Sequence, residues 1–452
     1  LDKVVVHRNL VRGRRVLALP QANPTPLTSF SMLHFDADAG VMVTASHNPA
    51  PDNGYKVYLG GTVAQGDGRG VQIVPPFDAE IAAAIEDAPP ADEVPMNDDL
   101  IEAVDPREEY VACASALASG EASAREDLRI VLTAMHGVGA AITSRVLAEA
   151  GFSNVSLVAA QADPDPDFPT VPFPNPEEAG ALDMAIEQAR AEDADLIIAV
   201  DPDADRCALA VPDPASETGW SPLSGDQIGS LLGEFLASRG MKGSLANSIV
   251  SSRLLSRIAH AHGLEHHTTL TGFKWIARAP GLGFGYEEAI GFCPDPSNVR
   301  DKDGIATSVV AASLVAALKA QGRSVWDELE RLARLHGLHV SSPLTFRVEQ
   351  IEQIAAGMAR LRAQPPSVLA GSPVVEVSDL SQGYRGLPPT DGVLVLTEAG
   401  DRVIARPSGT EPKLKCYLEV ILPVAEGEPL PWERARERLD AIKAAFAEII
   451  GL

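Results

Sequence analysis

From residue 4 to about residue 340, short apolar runs bounded by turn residues alternate with amphipathic stretches. The runs at residues 4–6, 16–19, 40–43, 129–132 and 196–200 have the length and character of buried parallel strands. Residues 140–150, 176–192 and 227–239 carry apolar positions at helical spacing. That alternation predicts doubly wound α/β units. After about residue 343 the pattern changes. Runs at 344–348, 393–396, 402–405 and 415–420 follow one another closely, with one helical stretch after the first. The C-terminal part is therefore expected to be α+β with an antiparallel sheet. Segments rich in turn residues or in Pro, Asp and Glu, at 87–105, 212–220 and 335–342, mark the expected boundaries.

Length changes the picture by requiring more than one core: 452 residues suit roughly three or four domains. Charge narrows the partners. Asp and Glu number 62 against 37 Lys and Arg, for a net charge of −25. Nucleic acid and anionic membranes are recognised by basic surfaces, so neither is an expected partner. An anionic ligand would require the basic residues to be gathered locally. Cys113, Cys207, Cys293 and Cys416 lie far apart and form no Cys-x-x-Cys pair. This argues against a zinc site or a disulfide framework and suits a reducing compartment. No signal-like segment and no apolar run of membrane-spanning length is visible, so a cytoplasmic protein is expected.

Four segments carry candidate chemistry. Thr44-Ala45-Ser46-His47-Asn48-Pro49 follows a strand-like run and ends in a strong turn signal. Loops at the carboxyl ends of parallel strands hold ligands in open α/β sheets. Ser46 with His47 suits a nucleophile beside a base, and an ordinary strand-to-helix turn accounts for the same residues equally well. Asp201-Pro202-Asp203-Ala204-Asp205-Arg206 follows the run at 196–200. Three carboxylates at alternate positions converge if the chain wraps a cation, and an all-oxygen donor set selects a hard ion such as Mg²⁺. A solvated acidic turn is the alternative; the metal reading is favoured because a strand end rarely concentrates so much charge. Arg406-Pro407-Ser408-Gly409-Thr410-Glu411-Pro412-Lys413, with Lys415, combines a planar fork, hydroxyls and accessible backbone N–H groups. These make a phosphate cradle, or equally a charged surface turn. Gly285-Tyr286-Glu287-Glu288-Ala289-Ile290-Gly291 precedes Arg300-Asp301-Lys302-Asp303-Gly304. Paired Glu residues can accept hydrogen bonds from sugar hydroxyls, and Lys302 can move a proton if its pKa is lowered. Solvated charged turns are the default reading of both.

In their order, the four segments resemble the loops of the α-D-phosphohexomutase superfamily, in its bacterial phosphoglucomutase/phosphomannomutase branch. Asp52-Asn53-Gly54-Tyr55-Lys56-Val57-Tyr58, His136-Gly137-Val138-Gly139 and Thr271-Gly272-Phe273-Lys274 extend a resemblance that runs from about residue 16 to residue 422. It implies an α/β fold of successive doubly wound domains sharing one central cleft, followed by an α+β domain. The implied division is a phosphoserine-loop domain over 1–105, a metal-binding domain over 106–222, a sugar-binding domain over 223–340 and a phosphate-binding domain over 341–452. By the same resemblance Ser46 is phosphorylated, and His47 and Lys302 are candidates for proton transfer. Asp201, Asp203 and Asp205, with the phosphorylated Ser46, bind Mg²⁺. Arg206, Thr271, Gly272, Lys274, Glu287 and Glu288 face the sugar. Arg406, Ser408, Gly409, Thr410 and Lys415 hold the phosphate that is not being transferred. The implied reaction interconverts hexose 1-phosphate and hexose 6-phosphate, of glucose or mannose, through a 1,6-bisphosphate that also serves as activator. The partner is thus a small sugar phosphate, and a monomer or weak dimer is expected.

Two features depart from the common pattern. Ala289 stands where many hexomutases have Ser, a form shared with phosphopentomutase-like enzymes of animals. A phosphopentomutase or a sugar-bisphosphate synthase is therefore the nearest rival, with a phosphoserine-type metal-dependent phosphatase behind it. The segment before the run at residue 16 is shorter than the family's first βαβ unit, so the N-terminal domain is expected to be incomplete.

Overall fold

The computed structural model describes residues 15–93, 98–408 and 412–451. The strand expected at residues 4–6, and Gly409 and Thr410 of the expected phosphate cradle, lie outside these residues. The chain forms two compact units. The first runs to Ala246 and resumes over Gly272–Val325; the second comprises Asn247–Thr271 and Trp326–Leu452.

The first unit opens with β1 (Val16–Ala18), α1 (Thr25–His34), β2 (Ala39–Val43), β3 (Tyr55–Leu59), β4 (Val71–Gln72), α2 (Phe77–Glu86) and β5 (Ile101–Ala103). β5 pairs in parallel with β1, so the chain comes back to the first strand of the described residues at the end of the acidic stretch 87–105. β2, β3 and β4 form an antiparallel sheet in that order. This corrects the expectation of a buried parallel strand at 40–43: β2 is antiparallel and only partly buried. A parallel return needs a crossover, usually a helix, and residues 44–54 contain none.

There follow α3 (Arg107–Ser115), α4 (Ala122–Asp127), β6 (Arg129–Thr133), α5 (Ala140–Glu149), β7 (Asn154–Leu157), α6 (Asp183–Glu192), β8 (Leu196–Val200), β9 (Cys207–Pro212) and β10 (Trp220–Pro222). Five strands make one sheet in the order β10-β9-β8-β6-β7. β6 runs parallel to β7 and β8, whereas β9 is antiparallel to β8 and β10. Every residue of β8 is buried, which explains its unbroken apolar run. The helix expected from residue 176 begins only at Asp183, after a segment with Pro172, Pro174 and Pro176.

The next elements are α7 (Gly225–Ser238), β11 (Ser244–Ser248), α8 (Leu254–Ala261), β12 (His266–Thr269), α9 (Phe273–Ile276), β13 (Leu282–Glu287), β14 (Gly291–Cys293), α10 (Gly304–Ala320) and α11 (Val325–His336). Ser224 and Gln227 form a capping box at the start of α7, a local signal written into the sequence. β13 and β14 form a hairpin that pairs Glu287 with Gly291. α10 is apolar around almost its whole circumference and is buried along nearly all its length, as a helix packed on every side must be. Asp303 caps it, accepting from the Ala306 amide at 2.8 Å and from the Tyr110 hydroxyl at 2.8 Å.

The second unit adds β15 (Leu338–Arg347), α12 (Ile351–Ala363), β16 (Val368–Leu369), β17 (Ser372–Asp379), β18 (Val393–Thr397), β19 (Arg402–Pro407), β20 (Lys413–Leu422) and α13 (Trp432–Ile450). The strands form one antiparallel sheet, β15-β20-β19-β18-β17-β16, as the C-terminal pattern predicts. Met358, Leu361 and Phe446 of the two helices pack on Val395, Val403 and Cys416. A second cluster joins Leu394 and Ile404 to Ile249 and Val250. Glu419 fastens the segment 247–271 to this sheet. It is fully buried and accepts from the Ser252 hydroxyl at 2.8 Å, the Arg253 amide at 2.8 Å and Arg253 Nε at 2.6 Å. A buried carboxylate is tolerated only when it is paired this completely.

Among the described residues no single helix is long and apolar enough to cross a membrane.

The cap of α10 makes stability depend on pH. Burial raises the Asp303 carboxyl to about 7, above its unfolded value. The unfolded chain then loses this proton first as pH rises, so stability falls between the unfolded and folded pKa values. Relative to Asp303→Asn, the native protein should lose up to roughly 1.4 kcal/mol per pH unit between about pH 5 and pH 7. Urea titrations of both proteins across that window measure the difference; parallel curves would contradict the assignment.

Candidate active site

The Asp201–Arg206 segment turns sharply between β8 and β9, and two glycines let it do so. A Cβ on Gly137 would lie 2.3 Å from Pro202 Cα, and one on Gly304 would lie 2.3 Å from the Arg206 carbonyl oxygen. The loop is thus gripped between the turn after β6 and the start of α10, with no room for a methyl group on either side. Ala204 sits in the left-handed region at φ 56. Ser46 at φ 53 and Ile290 at φ 52 do the same in their own loops. Such conformations are uncommon for residues with a Cβ, and surrounding packing must enforce them.

The result brings the three carboxylates together. Asp201, Asp203 and Asp205 are all buried, and each offers a ligand oxygen within 4.8 Å of the others. Ser46 Oγ lies 3.2 Å from Asp201 Oδ2 and 3.3 Å from His47 Nδ1. The Arg206 amide donates to Asp201 Oδ1 at 2.9 Å. Burial, with the charges of Asp203 and Asp205 adding to it, pushes the Asp201 carboxyl well above the usual range. Burial also acts to raise Asp203, but the Lys56 ammonium outweighs it and holds Asp203 below the usual range.

Sequence reasoning placed Lys56 in a family motif without giving it a role. Its Nζ donates to Asp203 Oδ2 at 2.8 Å and also contacts Asp205 Oδ2. Thr44 likewise lay in a candidate loop without a role, and Thr25 was missed altogether. The Thr25 hydroxyl donates to Asp203 Oδ2 at 2.6 Å, and the Thr44 hydroxyl reaches the same oxygen at 3.2 Å. Thr25 begins α1, and nothing local in the sequence marks it as a partner of a residue 178 positions away.

Lys302 reaches the same cluster, with Nζ 3.2 Å from Asp205 Oδ2. Burial alone would lower its pKa, yet Asp205 and Asp301 overcome that and raise it. The condition attached to proton transfer by Lys302, a lowered pKa, is not met: the two carboxylates favour its ammonium form. His47 shifts the opposite way. Burial, reinforced by Arg206, lowers it to about 3, so its imidazole is neutral at pH 7. The Phe173 ring packs edge-on to it at 6.4 Å.

Asp203 Oδ1 and Asp205 Oδ1 are buried with no hydrogen-bond partner among the described residues. Unpartnered carboxylate oxygens facing one another in a dry pocket fit a hard cation, so the donor set suits the metal that the sequence implies.

The other expected residues divide between the units. Arg206 is half-buried in the first unit, where desolvation lowers its pKa but Glu287, Asp201 and Asp205 raise it on balance. Glu287 faces Gly291 across the β13–β14 hairpin, and Glu288 lies in its turn. Gly272, at φ 101, starts α9, which carries Lys274. Thr271 falls in the second unit with Arg406, Ser408 and Lys415. There, Arg406 and Lys415 stand directly opposite each other on β19 and β20. Like charges at such positions repel, so a bound anion would relieve a cost already present. Arg406 Nε is buried and has no partner among the described residues, which leaves it a donor to spare.

Four domain profiles of one family match the chain in order. They are phosphoglucomutase/phosphomannomutase domain I over residues 9–91, domain II over 108–215, domain III over 224–335 and the C-terminal domain over 345–430. The chain belongs to the phosphoglucomutase/phosphomannomutase family. Membership makes it a phosphosugar mutase, an isomerase that works by phosphoryl transfer. A Haemophilus influenzae relative named "Probable phosphomannomutase" is 44% identical over 418 residues, spanning 90% of this chain and 82% of its own length. Human phosphopentomutase is 30% identical over 97% of this chain and 76% of its own length. A Burkholderia thailandensis protein of the phosphoglucomutase/phosphomannomutase family shares the fold, with a TM-score of 0.69 at 18% identity over 99% of this chain and 92% of that one.

In this family member the glycine clamp yields a direct test. Gly137→Ala should displace the Asp201–Arg206 loop and cost roughly 1–3 kcal/mol through overpacking. Urea unfolding of the variant measures that cost, and an unchanged midpoint would show that the loop is not gripped there.

Proposed function

We propose that this mutase carries its phosphoryl group on Ser46 and interconverts hexose 1-phosphate and hexose 6-phosphate. The observation that carries the reading is the approach of Ser46 Oγ to within 3.2 Å of Asp201, at the edge of a buried three-carboxylate cluster. A serine has no structural need for that neighbour, whereas a phosphoryl group passing between Ser46 and a sugar hydroxyl would need the charge assembled there.

In this reading Asp201, Asp203 and Asp205 would hold Mg²⁺. When bound, the ion would supply positive charge to the phosphoryl oxygens. The protein's own residues do the rest. Phosphorylated Ser46 gives its phosphoryl group to the free hydroxyl of a sugar monophosphate. The bisphosphate turns over, and the other phosphoryl group returns to Ser46 Oγ. Neutral His47, 3.3 Å from that oxygen, is placed to accept and return a proton. Lys302, an ammonium ion, adds fixed positive charge to the pocket. Glu287 and Glu288 accept from sugar hydroxyls. Arg406, Ser408 and Lys415, with Gly409 and Thr410, take the phosphate that stays in place. Sugar 1,6-bisphosphate serves as activator, because it rephosphorylates Ser46 when the intermediate escapes. The four cysteines are free thiols, in keeping with a reaction in the cytoplasm.

Glucose or mannose is the favoured sugar, on the strength of the Haemophilus relative's name and identity. A pentose is the second reading, supported by the human relative's name and by Ala289.

Intact mass of the purified protein should show one phosphate that is absent from Ser46→Ala, and that variant should lose at least about 10³-fold in turnover, as expected for loss of a covalent nucleophile. An active Ser46→Ala enzyme would refute the assignment. Excess chelator should abolish turnover and Mg²⁺ should restore it. Rates on glucose 1-phosphate, mannose 1-phosphate and ribose 1-phosphate, compared side by side, decide the sugar.

A further inference from the structure

Lys302 is confined on every side that the first unit presents. A Cβ on Gly291 would lie 2.3 Å from Lys302 Cδ, so the lysine stem passes directly over that glycine. Its ammonium lies 5.7 Å from the centre of the Phe273 ring. It sits 3.2 Å from Asp205 Oδ2 and 3.9 Å from Asp301 Oδ1. Asp205 belongs to the carboxylate cluster. Asp301 does not; it lies in the 300–304 segment, which gave it no role of its own.

Asp301 is 1% exposed, and its own position is set from a different part of the fold. Tyr58 on β3 and Gln72 on β4 are directly paired across the antiparallel ladder, which puts both side chains on one face of that small sheet. From there the Tyr58 hydroxyl and the Gln72 amide each donate to the same oxygen, Asp301 Oδ2, at 2.6 Å. The other oxygen accepts the Lys302 backbone amide at 2.8 Å. Tyr58 has no exposed surface, and burial pushes its phenol well above the usual range, so it stays a donor. A buried carboxylate with both oxygens engaged has one orientation, and a cation beside it inherits that orientation.

We propose that Asp301, held by the cross-strand pair Tyr58 and Gln72, is a positioning residue that fixes the Lys302 ammonium over Asp205. The pair links the β2–β4 sheet, reached directly from the Ser46 loop, to the lysine that completes the charge of the acidic pocket. Its effect should appear in the phosphoryl-transfer step and not in sugar binding, because the Tyr58 and Gln72 side chains both donate to Asp301. This inference rests on the proposed reading of Ser46 and the Asp cluster as the transfer site.

The test follows transfer from radiolabelled phosphoenzyme to sugar 1-phosphate in single turnover, with time courses long enough to resolve rates many decades below the native one. Tyr58→Phe keeps the ring and removes one donor to a buried carboxylate, so transfer should slow about tenfold with the sugar concentration dependence unchanged. Gln72→Met removes the second donor from the neighbouring strand, and should do the same even if Tyr58→Phe folds poorly. In a Lys302→Met background either change should have almost no further effect, because the group being positioned is gone. A native transfer rate in both single variants would overturn the proposal. So would a tenfold loss that persists undiminished in the Lys302→Met background, since that marks a general structural effect. If the native protein takes up no label on Ser46, the reading of the transfer site itself has failed, and that outcome is distinct from both.

Discussion

Three carboxylates buried within 4.8 Å of one another at the end of β8 are the constraint around which the first unit is arranged. Like charges taken out of water repel strongly and are expensive to desolvate, so positive charge and donors must be brought to them. The chain does this from far away in sequence. Lys56 comes from β3, Lys302 from the approach to α10, and hydroxyls come from Thr25 and Thr44. Two carboxylate oxygens still lack partners among the described residues, and that residual demand is what makes the pocket suited to a hard cation.

Close packing of backbone is the second requirement. Gly137, Gly304 and Gly291 each occupy a place where a methyl group would meet another segment at 2.3 Å. The first two let the Asp201–Arg206 turn sit between neighbouring elements, and the third lets the Lys302 stem cross the β13–β14 hairpin. Left-handed Ser46, Ala204 and Ile290 aim the three loops. Strain of about 1–2 kcal/mol at each such residue is sustained because the dense surroundings leave no alternative.

The second unit solves a related problem differently. Glu419 is as buried as the Asp cluster, but donors from Ser252 and Arg253 engage it directly. It serves to tie the segment 247–271 to the sheet. The basic pair Arg406 and Lys415 is the converse case: two like charges opposed on adjacent strands, one with a buried donor unspent. Saturation distinguishes the structural charge cluster from those suited to binding.

Much of this was legible in the amino-acid order. The apolar run at 196–200 specified a buried strand, the close-spaced C-terminal runs specified an antiparallel sheet, and Ser224 with Gln227 specified a helix start, because each depends on residues within one or two turns of chain. The Asp-x-Asp-x-Asp spacing similarly announced a cluster of carboxylates that could hold a cation, since its three oxygens come from one loop. The direction of β2 was not legible, because pairing depends on how residues 44–54 return and not on the strand's own composition. Lys56, Thr25, Tyr58 and Gln72 were invisible as site residues, for their partners lie between 147 and 243 positions away. The direction of the Lys302 pKa was not legible for the same reason: it depends on Asp205 and Asp301, which folding sets beside the ammonium. Local sequence determined which elements form and which groups are available, because those depend on short-range periodicity and chemistry. Only the tertiary structure decided which charges meet, because burial and pairing arise when distant segments share one dry pocket.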